Sequence, residues 1–293
     1  MIDFETILIS IFCLADDFCK LGVKKRRVGT PKQLNDAELL TLLVVQQLLG
    51  IESETSFLRF QSRFLKGCFR ILDQSQFNRR GKVVIPRLEK FRKYLLKRLK
   101  IDQCDLLAVD SCPVPAVHPQ RVRQSSLFPE LAFGHCASLK EIYYGGKLHL
   151  VVNAKGIPLK FDLTPASVAD IKMLDELLEE LGWTTVVADK GYIDKEKHLE
   201  LKKKKNILMI TPKRKNQKEK MPAIFKVLYN KTRKIIETVF NQLSNHMQLK
   251  KTLATTLEGL ASRILRKITA FTCGICLNAQ FGRKRLAIKS LLA

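Results

Sequence analysis

Apolar positions recur at three- and four-residue intervals along the first hundred residues, gather into short unbroken runs from about residue 104 to 211, and return to helical spacing after that. Ile7, Ile11 and Leu14 share one face of a predicted helix over residues 1–21, with Phe18 and Leu21 close to it. Asn35-Asp36-Ala37-Glu38 has the form of a capping box, with Asn35 as N-cap and Glu38 at the third helical position. It opens an apolar run over 39–49 that Gly50 can close. A further helix is predicted over 54–65. Helix, short connector and helix fit a helix-turn-helix and a helical bundle alike. Leu88, Phe91, Leu95, Leu96 and Leu99 keep helical spacing, and Pro86 marks a start or a kink.

The short runs predict strands. Residues 106–110 (LLAVD) are apolar up to one carboxylate and are followed by Ser111 and Pro113, which should break the strand. Residues 111–140, with four prolines, then read as a long loop. Strands follow at 146–153 and 157–163, joined through the turn signal Lys155-Gly156. Ser167 to Asp170 should cap a helix that runs to Leu181 and ends at Gly182, with Asp170 as the capping-box acid. Next come a strand at 184–188 (TTVVA), a helix from about 194 to 205 and a strand at 206–211. A basic loop at 213–220 leads to a helix over 232–249. This order predicts an α/β fold, a mixed sheet flanked by helices, preceded by an all-helical segment.

Charge narrows the range of partners. The net charge is +24, and residues 55–100 carry fourteen Lys and Arg against only Asp73 and Glu89. That surplus is too one-sided for salt-bridge lacing, so it predicts phosphate contact and a polyanionic partner, nucleic acid before anionic membrane. No amphipathic helix pairs its cations with an exposed aromatic face, which argues against the membrane. The opening residues lack a positive region and carry Asp3, Glu5, Asp16 and Asp17, so no signal peptide is predicted. Eight scattered cysteines suit a reducing, cytoplasmic setting. Cys273 and Cys276 have zinc-like spacing without a second ligand pair and read as core cysteines of an apolar helix.

Two predicted strands end in aspartate: Asp110 after LLAV, and Asp189 after TTVVA and before Lys190-Gly191-Tyr192. A carboxylate there is costly to bury unless it is paired or bound to a metal. Each could be an ordinary turn residue. The recurrence, the basic chain and Glu237 in a later helix favour a divalent-metal site, in which hard oxygen ligands stand on separate rigid elements. Arg233 precedes Glu237 by one helical turn, the poorer order for a simple surface ion pair.

The chain resembles the DDE transposases of bacterial insertion sequences. The likeness rests on residues 106–111, on the strand Tyr144-Gly145-Gly146-Lys147-Leu148-His149-Leu150, on Asp189-Lys190-Gly191-Tyr192, and on Arg233 with Glu237. It departs from the tyrosine–arginine–glutamate–lysine signature at two points. Three residues separate Tyr229 from Arg233 where relatives have two, and Ser244 stands where they have lysine. The resemblance implies an RNase H-like catalytic domain over 104–250, after a helical DNA-end-binding domain over 1–103 and before a helical extension over 251–293. It implies Asp110, Asp189 and Glu237 as ligands of two Mg²⁺ or Mn²⁺ ions about 3.5–4 Å apart, with Arg233 assisting. Lys24, Lys25, Arg26, Arg27, Arg79, Arg80, Arg87, Lys93, Arg98 and Lys190 become candidate DNA contacts. The implied partner is double-stranded DNA, both element ends and target, bound by a homodimer in the cytoplasm at the nucleoid. The implied reaction is hydrolysis at the element end, followed by attack of the freed 3′-hydroxyl on target DNA. A metal-dependent nuclease without strand transfer and a non-catalytic DNA-binding protein are the alternatives.

Overall fold

The computed structural model describes residues 2–22, 33–101, 104–124, 126–136, 140–212 and 221–291. Five helices come first: α1 (Phe4–Lys20), α2 (Asp36–Leu48), α3 (Glu54–Phe64), α4 (Gln74–Val83) and α5 (Ile85–Arg98). Strands β1 (Leu106–Val117), β2 (Ala132–Cys136), β3 (Glu141–Asn153) and β4 (Pro158–Pro165) follow, then the short helix α6 (Leu174–Leu177). The chain continues through β5 (Thr184–Ala188), α7 (Lys195–Lys205), β6 (Ile207–Ile210), α8 (Ala223–Asn241) and α9 (Leu257–Gln280). It divides into two compact units, one made of Met1–Lys100 with Gln242–Ala293 and one of Ile101–Asn241. Residues 251–293, set apart as an extension in the sequence reading, thus share a unit with the first hundred. No described helix is long and apolar enough to cross a membrane.

The first unit is helical. The capping box predicted at Asn35 is present in both halves, at 2.6 and 2.8 Å, and Gly50 follows α2 with φ +66°. Helices α2 and α9 are buried on almost every side, including Cys273 and Cys276. Buried charge accompanies them. The fully buried Lys267 amine bonds Glu52, Gln47 Oε1 at 3.1 Å and the Met247 carbonyl at 2.7 Å. Arg263 pairs with Glu52 at 2.7 Å and Arg266 with Glu54 at 3.1 Å. Glu54 also accepts from Gln74 and Asn78. Burial pulls the Lys267 and Arg266 pKa values down, with Glu52 and Glu54 opposing.

The second unit is a mixed sheet in the order β2-β3-β1-β5-β6, with β4 also on β3. β1 runs antiparallel to β3, from Leu107↔Asn153 to Val117↔Tyr144. It runs parallel to β5, from Leu106↔Thr185 to Val109↔Ala188, and β5 runs parallel to β6. The central runs are apolar throughout because both faces are covered. Leu107, Val109, Val186 and Ala188 pack with Leu174, Leu177 and Leu201 of α6 and α7. Val187 and Ile210 pack on the other face against Tyr229 of α8. On β3, Gly145 pairs with β2 and Gly146 with β4. A Cβ on Gly146 would stand 2.9 Å from the Thr164 carbonyl, so side chains are excluded where the strands change partners.

Three expectations are corrected. β1 does not break at Ser111 but continues through Pro113 and Pro115 to Val117. Its parallel partner ends at Ala188, leaving one edge free, and alternate residues 111, 113 and 115 turn their nitrogens to that edge. The Ser111 amide there bonds the Asp110 side chain, and prolines have no N–H to lose. The region 111–140 therefore holds strand and a 3-10 turn (Pro119–Gln124) besides loop. The helix expected to be capped by Ser167 to Asp170 and to run to Leu181 is a 3-10 turn (Asp170–Met173) followed by one α-turn, and Asp170 caps nothing. Lastly, α8 begins at Ala223, nine residues before the expected start. The basic run Lys24 to Arg27 and the loop 213–220 lie outside the described residues.

Truncating one member of a buried pair strands the other charge, at a cost of about 3–5 kcal/mol. Glu54→Ala should therefore destabilise the chain by about that much in urea unfolding, and Glu54→Leu with Arg266→Met should recover most of it. A loss within the range of an exposed ion pair, about 0–1 kcal/mol, would refute this.

Candidate active site

The parallel register of β1 and β5 builds the site. Val109 stands beside Ala188, so the next positions bring Asp110, within β1, and Asp189, just past the end of β5, side by side where the parallel pairing stops. By the two-residue alternation both share the face of Ala108 and Val187, which α8 covers. Asp110, Asp189, Tyr229, Arg233 and Ile236 line one small cavity there.

Tyr229, Arg233 and Glu237 follow one another at four-residue intervals on α8, so all three fall along one face. Arg233 Nη1 donates to Asp189 Oδ1 at 3.2 Å and to the Tyr229 hydroxyl at 3.0 Å. Its Nε donates to Glu237 Oε1 at 2.8 Å. The Tyr229 hydroxyl in turn donates to Asp189 Oδ1 at 3.4 Å. One guanidinium thus ties the second acid to the third. Burial works against the Arg233 charge, but Tyr229, Asp189 and Glu237 outweigh it and raise the pKa.

Asp110 is placed differently. Burial is the main force pushing its carboxyl up to about 7. The Ser111 amide, donating at 2.8 Å, and Arg233 lower it, while Asp189 and Asp170 raise it further. No cation pairs directly with Asp110 among the described residues. A desolvated carboxyl where the parallel pairing stops, with a second carboxylate just past the neighbouring strand, offers the hard oxygen donors that a divalent cation takes. Asp110 and Asp189 fit that role in chemistry and placement. Glu237 is held outward by Arg233, 52% exposed, and among the described residues no three His, Cys, Asp or Glu side chains are grouped to hold an ion.

Tyr229, set aside in the sequence because its spacing to Arg233 departs from the family signature, nonetheless lines the cavity. Its four-residue step to Arg233 is one helical turn, and that spacing was the available signal. Lys190 is exposed and opens the 3-10 turn after Asp189. In the first unit Arg79 and Lys93 are exposed. Arg80 donates to the Leu34 carbonyl, and Arg87 pairs with Asp36 at 2.6 Å. Arg98 bonds the Tyr94 hydroxyl at 3.1 Å and lies 3.9 Å from Asp17. Lys90, Lys93 and Lys97 line one groove with Phe18 and Tyr94.

An α/β unit with acids side by side where two parallel strands part, and a helix-borne arginine over them, has the make-up of an enzyme acting on phosphodiesters. A family model described as "Transposase DDE domain" matches residues 100–256, more than half of the chain, and the chain belongs to that family. DNA is the partner that this family implies. No curated protein and no solved structure matches.

Because the folded pKa of Asp110 lies above the 3.8 of the free side chain, folding favours the neutral form. Its stabilising contribution is full below the unfolded pKa and is lost as pH rises through about 7. In EDTA, Asp110→Asn should thus be more stable than the parent by about 1–4 kcal/mol near pH 8, with no gain near pH 4. Thermal melting at the two pH values checks this, and an equal difference at both would overturn the burial argument.

Proposed function

We propose that this transposase binds the ends of its own insertion element, cleaves there with two divalent metal ions, and transfers the 3′-hydroxyl ends into target DNA. The observation that carries the reading is that Asp110 and Asp189 directly follow the last rung of β1 and β5 and line one cavity, with Arg233 linking Asp189 to Glu237. The strand order, three antiparallel strands continued by two parallel ones with helices on both faces, supports an RNase H-like catalytic domain. Asp110, Asp189 and Glu237 would hold Mg²⁺ or Mn²⁺, which when bound activates the attacking oxygen and neutralises charge on the leaving one.

The chain's own groups prepare that site. Asp110 brings a buried, weakly compensated negative charge that favours taking up a cation over staying ionised alone. Arg233 offers a planar donor fork suited to a phosphate oxygen and, until DNA arrives, keeps Asp189 and Glu237 in place. Tyr229 orients Arg233 through its hydroxyl. Lys190, exposed beside Asp189, adds a cation where the DNA backbone would enter. The helical unit contributes affinity through phosphate contacts, with the Lys90, Lys93 and Lys97 groove among the exposed basic positions. A homodimer would bring two ends together, and the reaction would take place on the nucleoid in the cytoplasm.

With labelled element ends, Mg²⁺ or Mn²⁺ should support cleavage and strand transfer, Ca²⁺ should allow binding with little turnover, and EDTA should stop the reaction reversibly. Asp110→Asn, Asp189→Asn and Glu237→Gln should each abolish cleavage and leave end binding intact, while Arg233→Ala should reduce activity less completely. Near-normal cleavage by any of the three acid variants removes that residue from the site. Cleavage without strand transfer would identify a nuclease instead. Replacing Lys90, Lys93 and Lys97 with serine should flatten the plot of log affinity against log salt by about 0.9 per lost phosphate contact. An unchanged slope would place the DNA elsewhere.

A further inference from the structure

The sheet face turned away from α8 also carries paired charge. Lys147 stands opposite Pro113 in the β1–β3 register, on the same face as Val109 and Ser111. Its Nζ lies 2.7 Å from Asp170 Oδ1, and the two side chains are only 17% and 23% exposed. Asp170 opens its 3-10 turn without capping it, so local helix chemistry does not explain the residue. Its other oxygen rests on Gly191, where a Cβ would come within 2.8 Å of Oδ2. Gly191 lies in the 3-10 turn Lys190–Tyr192 that immediately follows Asp189. The far end of that turn is anchored by Tyr192, 1% exposed in the core. At the near end the Asp189 carbonyl accepts from the Tyr192 amide at 3.1 Å, while the Asp189 side chain makes no cap bond and leaves the turn toward α8.

We infer that Lys147 and Asp170 form a positioning pair for the acid site. Lys147 holds the Asp170 carboxylate against Gly191; the β1–β5 register brings Asp189 beside Asp110, and this contact holds the turn that follows, which sets how the Asp189 carboxylate is presented. Gly191 is required because any side chain would push the carboxylate off the turn. The inference rests on the assignment of Asp110 and Asp189 as metal ligands. Neither Lys147 nor Asp170 needs to touch DNA or metal. Groups that orient ligands from behind in this way typically change metal affinity by about 10–100-fold when removed.

The test is calorimetric titration of the full chain with Mn²⁺, alongside thermal melting. Lys147→Met is the decisive variant. If the pair acted only through its field, removing a positive charge near the acids would tighten Mn²⁺ binding. A positioning role requires the opposite, a loss of about tenfold, read at a temperature well below the variant's own melting point. Asp170→Asn and Gly191→Ala should weaken binding to a similar degree, the second while keeping both charges. Tighter or unchanged binding in Lys147→Met overturns the inference. Should Lys147→Met fail to fold, Gly191→Ala decides by the same criterion. Asp189→Asn is the control on the underlying assignment: full Mn²⁺ affinity there would overturn the metal site itself, whereas loss there with no effect in the other three variants overturns the positioning pair alone.

Discussion

The parallel pairing of β1 with β5 is the constraint on which the candidate site depends. Four consecutive rungs, from Leu106↔Thr185 to Val109↔Ala188, fix the register before either aspartate is reached. Those rungs are held by apolar side chains buried on both faces, so a slip would cost the packing of every one of them. A shift of one residue would also turn Asp110 to the opposite face, away from α8 and Arg233. The chemistry at the strand ends therefore takes its precision from hydrophobic packing that is not itself chemical.

Bringing two carboxylates onto one rung creates an electrostatic problem, and the structure divides the answer between the two faces of the sheet. On the α8 face Arg233 supplies a cation to Asp189 and Glu237, leaving Asp110 buried and only indirectly compensated. Burial, opposed only by the Ser111 amide and by Arg233 at a distance, pushes the Asp110 carboxyl up to about 7. On the other face the Asp170 charge is matched by Lys147, which keeps a further negative group close behind the site without adding a bare one. The arrangement suits a site whose full complement of positive charge arrives with the metal and not with the fold.

The helical unit uses charge in two separable ways. Lys267, Arg266 and Arg263 are spent inside it, against Glu52 and Glu54, where desolvation makes each pair valuable only while both partners remain. Lys90, Lys93 and Lys97 stay on the surface along one groove. Part of the basic surplus is thus structural, so net charge alone overstates the area open to DNA. Arg80 and Arg87 show the same point, since both hold the fold together through Leu34 and Asp36.

Much of this was legible in the sequence. The capping box at Asn35, the apolar runs that lead up to Asp110 and Asp189, and the helical order of Arg233 and Glu237 are local patterns, set by propensity and by residues three or four apart. The family likeness was also carried by such short stretches. Other features were decided by contacts between distant segments. β1 runs on through two prolines because β3 supplies its bonds on one edge only. Asp170 leaves its expected capping role because Lys147, twenty-three residues earlier, lies within reach. Tyr229 joins the site because the turn of α8 sets its hydroxyl between Arg233 and Asp189. The sequence by itself determined most of the helices and the apolar runs that carry the two aspartates, since short-range sterics and hydrophobic period suffice for that. Only the tertiary structure decided which charges meet, because ion pairing depends on distances across strands and helices that no local spacing encodes.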